Sequence, residues 1–225
     1  LKENPQYNFE QYENWFSTFN AELETNPTVV NPDDITFETP LTQQTLPTFS
    51  TFLTKFPKRG NSGNYSAMST TDAYTLAGGS LLNSHINQRN QYNNACAIRA
   101  SRGLLYSGIQ IPVLKYNGSQ RTQKGGDLKN YILDAVSFNT YMIAKFGETT
   151  TKLEGADAND PVKVAAFLNG KNGIYVIINN DGRSKSSGGA GYSGHCDVII
   201  NGMCISGANT NPQGGVKSIR IWELN

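Results

Sequence analysis

Histidine is scarce in this chain: 225 residues include only two, His85 and His195. Any chemistry that uses imidazole has two candidates, and a zinc site built from several histidines is ruled out. No phosphate-loop or metal-ligand spacing occurs either, so no cofactor and no metal are expected. Three cysteines in a chain this long do not make a disulfide framework. No apolar run approaches the ~18 residues that a membrane span needs. Charge is also sparse, at 16% of residues, and nearly balanced, with 19 Lys and Arg against 18 Asp and Glu. A reader of nucleic-acid backbone needs a basic stripe, so DNA and RNA are not expected as partners. The sequence opens on Leu1 without Met, and the expectation is that an upstream signal, tag or segment has been removed.

What is present suffices for a core, because a chain of this size buries roughly 70% of its unfolded surface. Phe9, Tyr12, Trp15, Phe16 and Phe19 recur at helical spacing, which predicts a helix over 1–25. Four prolines between Pro27 and Pro47 then read as an extended linker or a wrapping arm. These two pieces, 1–45, are expected to form an N-terminal helix and extended arm outside a main domain over 46–225; the aromatic stripe is expected to pack on that domain, with an exposed partner-binding helix as the alternative. Within that domain a short helix is predicted at 48–56, a loop at 58–72, a helix at 95–107, a strand at 109–116 and a long helix at 128–146. A further short helix is predicted at 161–169. After residue 172 the period changes. Gly173 to Ile178, His195 to Ile200 and Val216 to Leu224 read as strands, with a return over Met203 to Ser206. Asn201-Gly202 is a strong two-residue hairpin signal. Helices followed by an antiparallel sheet make the α+β pattern.

Cys96 follows Asn94, which can cap a helix by accepting a bond from a free amide. Cys96 then lies in the first helical turn, where unpaired amides and the helix dipole stabilise a thiolate. The same amides suit an oxyanion. A buried structural cysteine is the competing reading. His195 opens a strand after a glycine-rich stretch and suits a general base, with a core histidine as the alternative. A helix-borne Cys early in the chain and a His on a later antiparallel strand is the papain-like arrangement.

The stretch Asn94-Ala95-Cys96-Ala97-Ile98-Arg99-Ala100-Ser101, the pair Gly194-His195 and the following Asn201-Gly202 resemble the type VI secretion amidase effector 4 (Tae4) family. The order of elements agrees over roughly residues 46–225, including Gly125-Gly126-Asp127 ahead of the long helix. The resemblance implies a papain-like (NlpC/P60-like) core and a cysteine-dependent peptidoglycan amidase. It implies cleavage between D-glutamate and meso-diaminopimelate in the peptide stem, with Cys96 as nucleophile and His195 as base. It implies an antibacterial toxin, secreted, acting in the periplasm of a target bacterium and matched by an immunity protein. A housekeeping cell-wall endopeptidase and a non-catalytic wall-binding module are the competing functions.

Many family members carry an acid shortly after a Cys in the return strand, whereas this sequence reads Cys204-Ile205-Ser206. If Asn201-Gly202 is a two-residue loop, residue 199 pairs with 204 and 197 with 206. Side chains alternate along a strand, so His195, Asp197 and Ile199 share a face with Cys204 and Ser206. Asp197 is therefore expected to orient His195, with Ser206 and Asn209 as the alternatives. Cys196 is expected in the core on the opposite face, out of register for a bridge to Cys204. His85 lies in a polar run and is expected on the surface, a substrate contact being the alternative.

Overall fold

The computed structural model describes residues 31–89, 91–92, 94–180, 194–207 and 215–225. The helix expected over 1–25, and Asn209, lie outside these. The fold is mixed α/β with antiparallel sheets. Its centre is a five-stranded sheet of β8 (Lys152–Glu154), β9 (Gly173–Asn179), β10 (Gly194–Ile200), β11 (Met203–Cys204) and β12 (Val216–Glu223). The order across it is β11-β10-β9-β12-β8, and every neighbouring pair is antiparallel. All seven residues of β9 are buried, which is why it reads as a continuous apolar run rather than an alternation.

Both faces of the sheet are covered. Ile174, Val176, Cys196 and Val198 join a core with the helices α4 (Cys96–Tyr106) and α5 (Ala135–Phe146). Tyr175, Ile177, Ile199 and Cys204 join a second core with Val164 and Leu168 of α6 (Pro161–Leu168). The alternation expected along β10 is thus the one found. Asn201 and Gly202 have φ of 48° and 84°, the left-handed pair that a two-residue turn of this hand requires.

Three other segments precede or brace α4. They are α1 (Phe49–Lys55), α2 (Thr70–Ala77) and α3 (Gly79–Asn87). Gly103 lets α1 approach α4 closely, since a Cβ there would sit 2.5 Å from the Phe52 ring. The loop expected at 58–72 is instead a hairpin, β2 (Lys58–Asn61) with β3 (Asn64–Ala67), followed by the start of α2. The helix expected from 128 starts later. Asn130–Ile132 is a strand, β7, paired with β6 (Thr122–Lys124), and Asp134 caps α5 by accepting from the Ser137 amide. Only Leu114–Tyr116 of the strand expected over 109–116 forms, as β4, with β5 (Ser119–Gln120) beside it.

Residues 31–47 lie against the domain. Ile35–Phe37, β1, pairs with β4. Lys145 Nζ donates to the Thr42 carbonyl at 2.9 Å, and the Gln44 amide donates to the Lys145 carbonyl. Deletion of residues 1–45 removes the buried Ile35 and the acceptor of a buried ammonium, so a stability loss of roughly 2–4 kcal/mol is expected. The Cys96 region is built from other elements and should keep its reactivity towards iodoacetamide. Denaturant melts and a timed alkylation check both halves, and an inert Cys96 in a folded truncate would show that the arm shapes the site.

Candidate active site

Cys96 is the first residue of α4, and its amide donates to Asn94 Oδ1 at 3.0 Å. Asn94 thus accepts from a free amide of the first turn as expected, but from beside the N-cap position, which is Ala95 and makes no side-chain bond. The loop that delivers Cys96 is held from behind. Tyr74 Oη donates to the Asn94 carbonyl at 3.2 Å, and the His85 ring stacks on Tyr74 with centroids 4.6 Å apart. His85 Nδ1 lies 2.6 Å from the Tyr92 carbonyl, and because that oxygen can only accept, the proton sits on Nδ1. His85 is thus buried at 4% exposure, not on the surface. Its partners lie seven and more residues away, out of reach of local composition.

His195 and Asp197 stand on β10, both almost fully buried, at 2% and 1% exposure. Gly194 before them has no room for a side chain: a Cβ would lie 2.2 Å from the Ile177 carbonyl of β9. That close pairing sets where His195 leaves the strand. Ile199 pairs with Cys204 and Ile200 with Met203, the register read from Asn201-Gly202. The chain beyond Cys204 continues alongside β10, and the Ser206 amide donates to Asp197 Oδ2 at 3.0 Å. His195 Nε2 lies 3.0 Å from Ser206 Oγ and 3.5 Å from Asp197 Oδ2. Ser206 Oγ in turn donates to Asp197 Oδ2. Asp197 Oδ1 accepts from the Val198 amide at 2.8 Å.

Cys96 meets the side chains of both Cys196 and His195. Successive strand residues point to opposite faces, so a group touching both lies beside the strand. One edge of β10 is fully paired with β9, whereas β11 covers only Ile199 and Ile200. The start of α4 packs against β10, where Cys96 shares a buried cluster with Cys196 and Val198. The three residues expected as nucleophile, base and orienting acid come together there.

The electrostatics follow from these contacts. A hydrogen bond with Cys196 does most to hold the Cys96 thiol well below its ordinary range; burial opposes it, and His195 and the Arg99 charge add to the lowering. Burial works against a charged His195, but Asp197 and then Cys96 outweigh it and push its pKa up to about 9. Burial pushes Cys196 and Cys204 well above the usual thiol range. None of the three cysteines forms a disulfide, yet only Cys96 is poised to ionise.

Cys196 and Arg99 are features that sequence reading missed. Cys196 is buried in the core as expected, but it also touches the nucleophile candidate. Arg99 is one helical turn from Cys96, buried, and donates to the Met68 carbonyl at 2.8 Å. The three-residue spacing on one helix was the available signal, since residues so placed are neighbours. No cluster of three or more His, Cys, Asp or Glu able to hold a metal occurs among the described residues. No helix among them is long and apolar enough to cross a membrane.

Comparison with known proteins gives a consistent picture. Residues 92–222 match the family described as type VI secretion system (T6SS), amidase effector protein 4. No curated protein matches the chain. Among solved structures, the type VI effector Tae4 from Enterobacter cloacae aligns with a TM-score of 0.59 at 21% identity, over 82% of this chain and 100% of that one. The Tae4–Tai4 effector–immunity complex from the same organism aligns with a TM-score of 0.59 at 21% identity, over 80% and 99%. The corresponding complex from Salmonella Typhimurium gives 0.58 at 21% identity, over 80% and 99%. At such identity the likeness speaks for the fold.

Proposed function

Because the chain belongs to the type VI secretion amidase effector 4 family, we propose that it is a cysteine-dependent peptidoglycan amidase of papain-like, NlpC/P60-like organisation. The observation that carries this reading is that Cys96, buried at the start of α4, packs on the strand whose His195 ring is backed by Ser206 and Asp197, and His195 helps hold the thiol below its ordinary range. A wall-binding module has no use for such a pair. The chemistry belongs to residues 46–225, with 1–45 as support or partner contact.

The bond we assign is that between D-glutamate and meso-diaminopimelate in the peptide stem. Cys96 Sγ attacks the γ-carbonyl of D-glutamate as a thiolate, while His195 holds the proton. Negative charge develops on the carbonyl oxygen at the start of α4, where helix amides and dipole oppose it. The Cys96 amide can contribute once the substrate oxygen replaces Asn94 Oδ1. The imidazolium gives its proton to the departing diaminopimelate amine, leaving a γ-glutamyl thioester on Cys96. Water, deprotonated by His195, then releases the enzyme. Nε2 faces Asp197 and Ser206, so Nδ1 is the nitrogen that shuttles the proton to and from sulfur.

We assign this activity to a toxin secreted by one bacterium and acting in the periplasm of another, a reading that membership of a type VI secretion effector family supports. The Tae4 structures that carry Tai4 support a cognate immunity protein for this chain too. Mass spectrometry of purified sacculi digested by the protein tests the assignment. Fragments should end in D-glutamate on one side and in a free diaminopimelate amine on the other. Cleavage elsewhere in the stem, or none, would refute the bond or the activity.

A further inference from the structure

We propose that Ser206 is a positioning residue: its hydroxyl is the link through which Asp197 orients His195, so the acid of this site acts as a serine–carboxylate relay. This rests on the Cys96–His195 reading above and goes further into the same site.

Proton counting carries the inference. Asp197 cannot itself reach the ring well, for its Oδ2 lies 3.5 Å from Nε2, beyond the usual 2.7–3.2 Å of a hydrogen bond from N–H. Nor is it placed to swing closer. Oδ1 holds the Val198 amide at 2.8 Å and Oδ2 the Ser206 amide at 3.0 Å, so the carboxylate is tied at both oxygens to main chain. Ser206 Oγ fills the gap, 3.0 Å from Nε2 and bonded to Oδ2. A carboxylate only accepts, so the single hydroxyl proton of Ser206 goes to Asp197. The same oxygen must then accept from His195, which places a proton on Nε2 and leaves Nδ1 as the basic nitrogen. The relay thus sets the tautomer that the thiol needs. When the imidazolium forms, Nε2–H, Oγ–H and the carboxylate align as one chain of donors ending on a negative charge, and each link strengthens the next.

The test is the pH dependence of Cys96 alkylation by iodoacetamide, read together with kcat and KM on sacculi, for four variants. Ser206→Ala should lower kcat about tenfold, the worth of one neutral hydrogen bond, with KM little changed. The rise of its Cys96 alkylation should move to higher pH, because an imidazolium less well held holds the thiolate less well, and the basic limb of its kcat should move below the wild-type position. Ser206→Thr, which keeps the hydroxyl, should restore both. Asp197→Asn should cost more than Ser206→Ala. Because the two act in series, the double variant should fall within about twofold of Asp197→Asn alone. An unmoved alkylation profile in Ser206→Ala, whatever its stability, would overturn the relay, and so would fully additive losses in the double variant. Failure of the peptidoglycan assignment would show separately, as sacculi left intact by the wild type while alkylation still responds to Ser206→Ala.

Discussion

Cys96→Ala is expected to abolish digestion of sacculi while leaving a folded protein. The argument starts from the three thiols. Burial raises Cys196 and Cys204 well above the ordinary thiol range, whereas Cys196, His195 and Arg99 together hold Cys96 well below it. Only the thiolate is a strong nucleophile, so neither of the other two can substitute. The alanine variant also keeps the cap, because Asn94 bonds the backbone amide of residue 96 rather than its side chain. The cost in stability should then be about 1–2 kcal/mol, that of a small truncation at a buried site. Thermal melts read that number, and mass spectrometry of the digest reads the activity. Digestion by Cys96→Ala at the wild-type rate would remove Cys96 from the chemistry.

Much of the sheet and of the helix that carries Cys96 is legible in the sequence because strong local signals agree there. β9 is an unbroken β-branched and aromatic run, and Asn201-Gly202 pins the register of β10 on β11 to the residue. Where strands are short and have no continuous core face, the signal fails. β2 is polar and mostly exposed, and β3 alternates over only four residues, Asn64–Ala67, none of them fully buried, so 58–67 looks like loop. The start of α5 misleads in the opposite way. Tyr131 and Ile132 fall at helical spacing from the residues that follow, but they belong to β7. The decisive mark is Asp134, three residues before Ser137, a capping pair hidden inside an apparently continuous stripe.

The site shows the same division. Cys96, His195 and Asp197 could be placed by capping and by strand alternation, which are local rules. The hairpin register sets Ser206 opposite Asp197, but nothing local says that its hydroxyl, rather than the carboxylate, meets the ring, because that is decided by side-chain bonds beyond the β10–β11 ladder. Cys196 matters through α4 packing beside β10, a contact across about a hundred residues of chain. His85 was misplaced for the same reason: its burial depends on Tyr74, Tyr92 and Thr71, drawn from α2 and the loop before α4.

His195→Ala is expected to lower the rate at least ~10²-fold, the lower end of what a positioned base contributes. The loss should be larger at neutral pH than a missing proton acceptor alone implies, because the imidazolium also helps hold Cys96 ionised. In the mechanism proposed above, the reactive form of the wild type is thiolate with imidazolium. It appears as pH rises past the lowered Cys96 range and disappears as pH passes about 9, where His195 loses its proton. Activity should therefore show a basic limb near pH 9 that the alanine variant lacks, with Cys96 alkylation shifted towards ordinary thiol behaviour. Stability follows the same sign. His195 binds its proton more tightly folded than unfolded, so its contribution is complete below about 6.5 and is lost as pH rises through about 9. His85→Ala serves as the contrast. It removes the stack on Tyr74 and the bond to Tyr92, so it should loosen the turn before Cys96 and lower stability without moving the basic limb. A dead His85→Ala beside an active His195→Ala would reverse the assignment of the base.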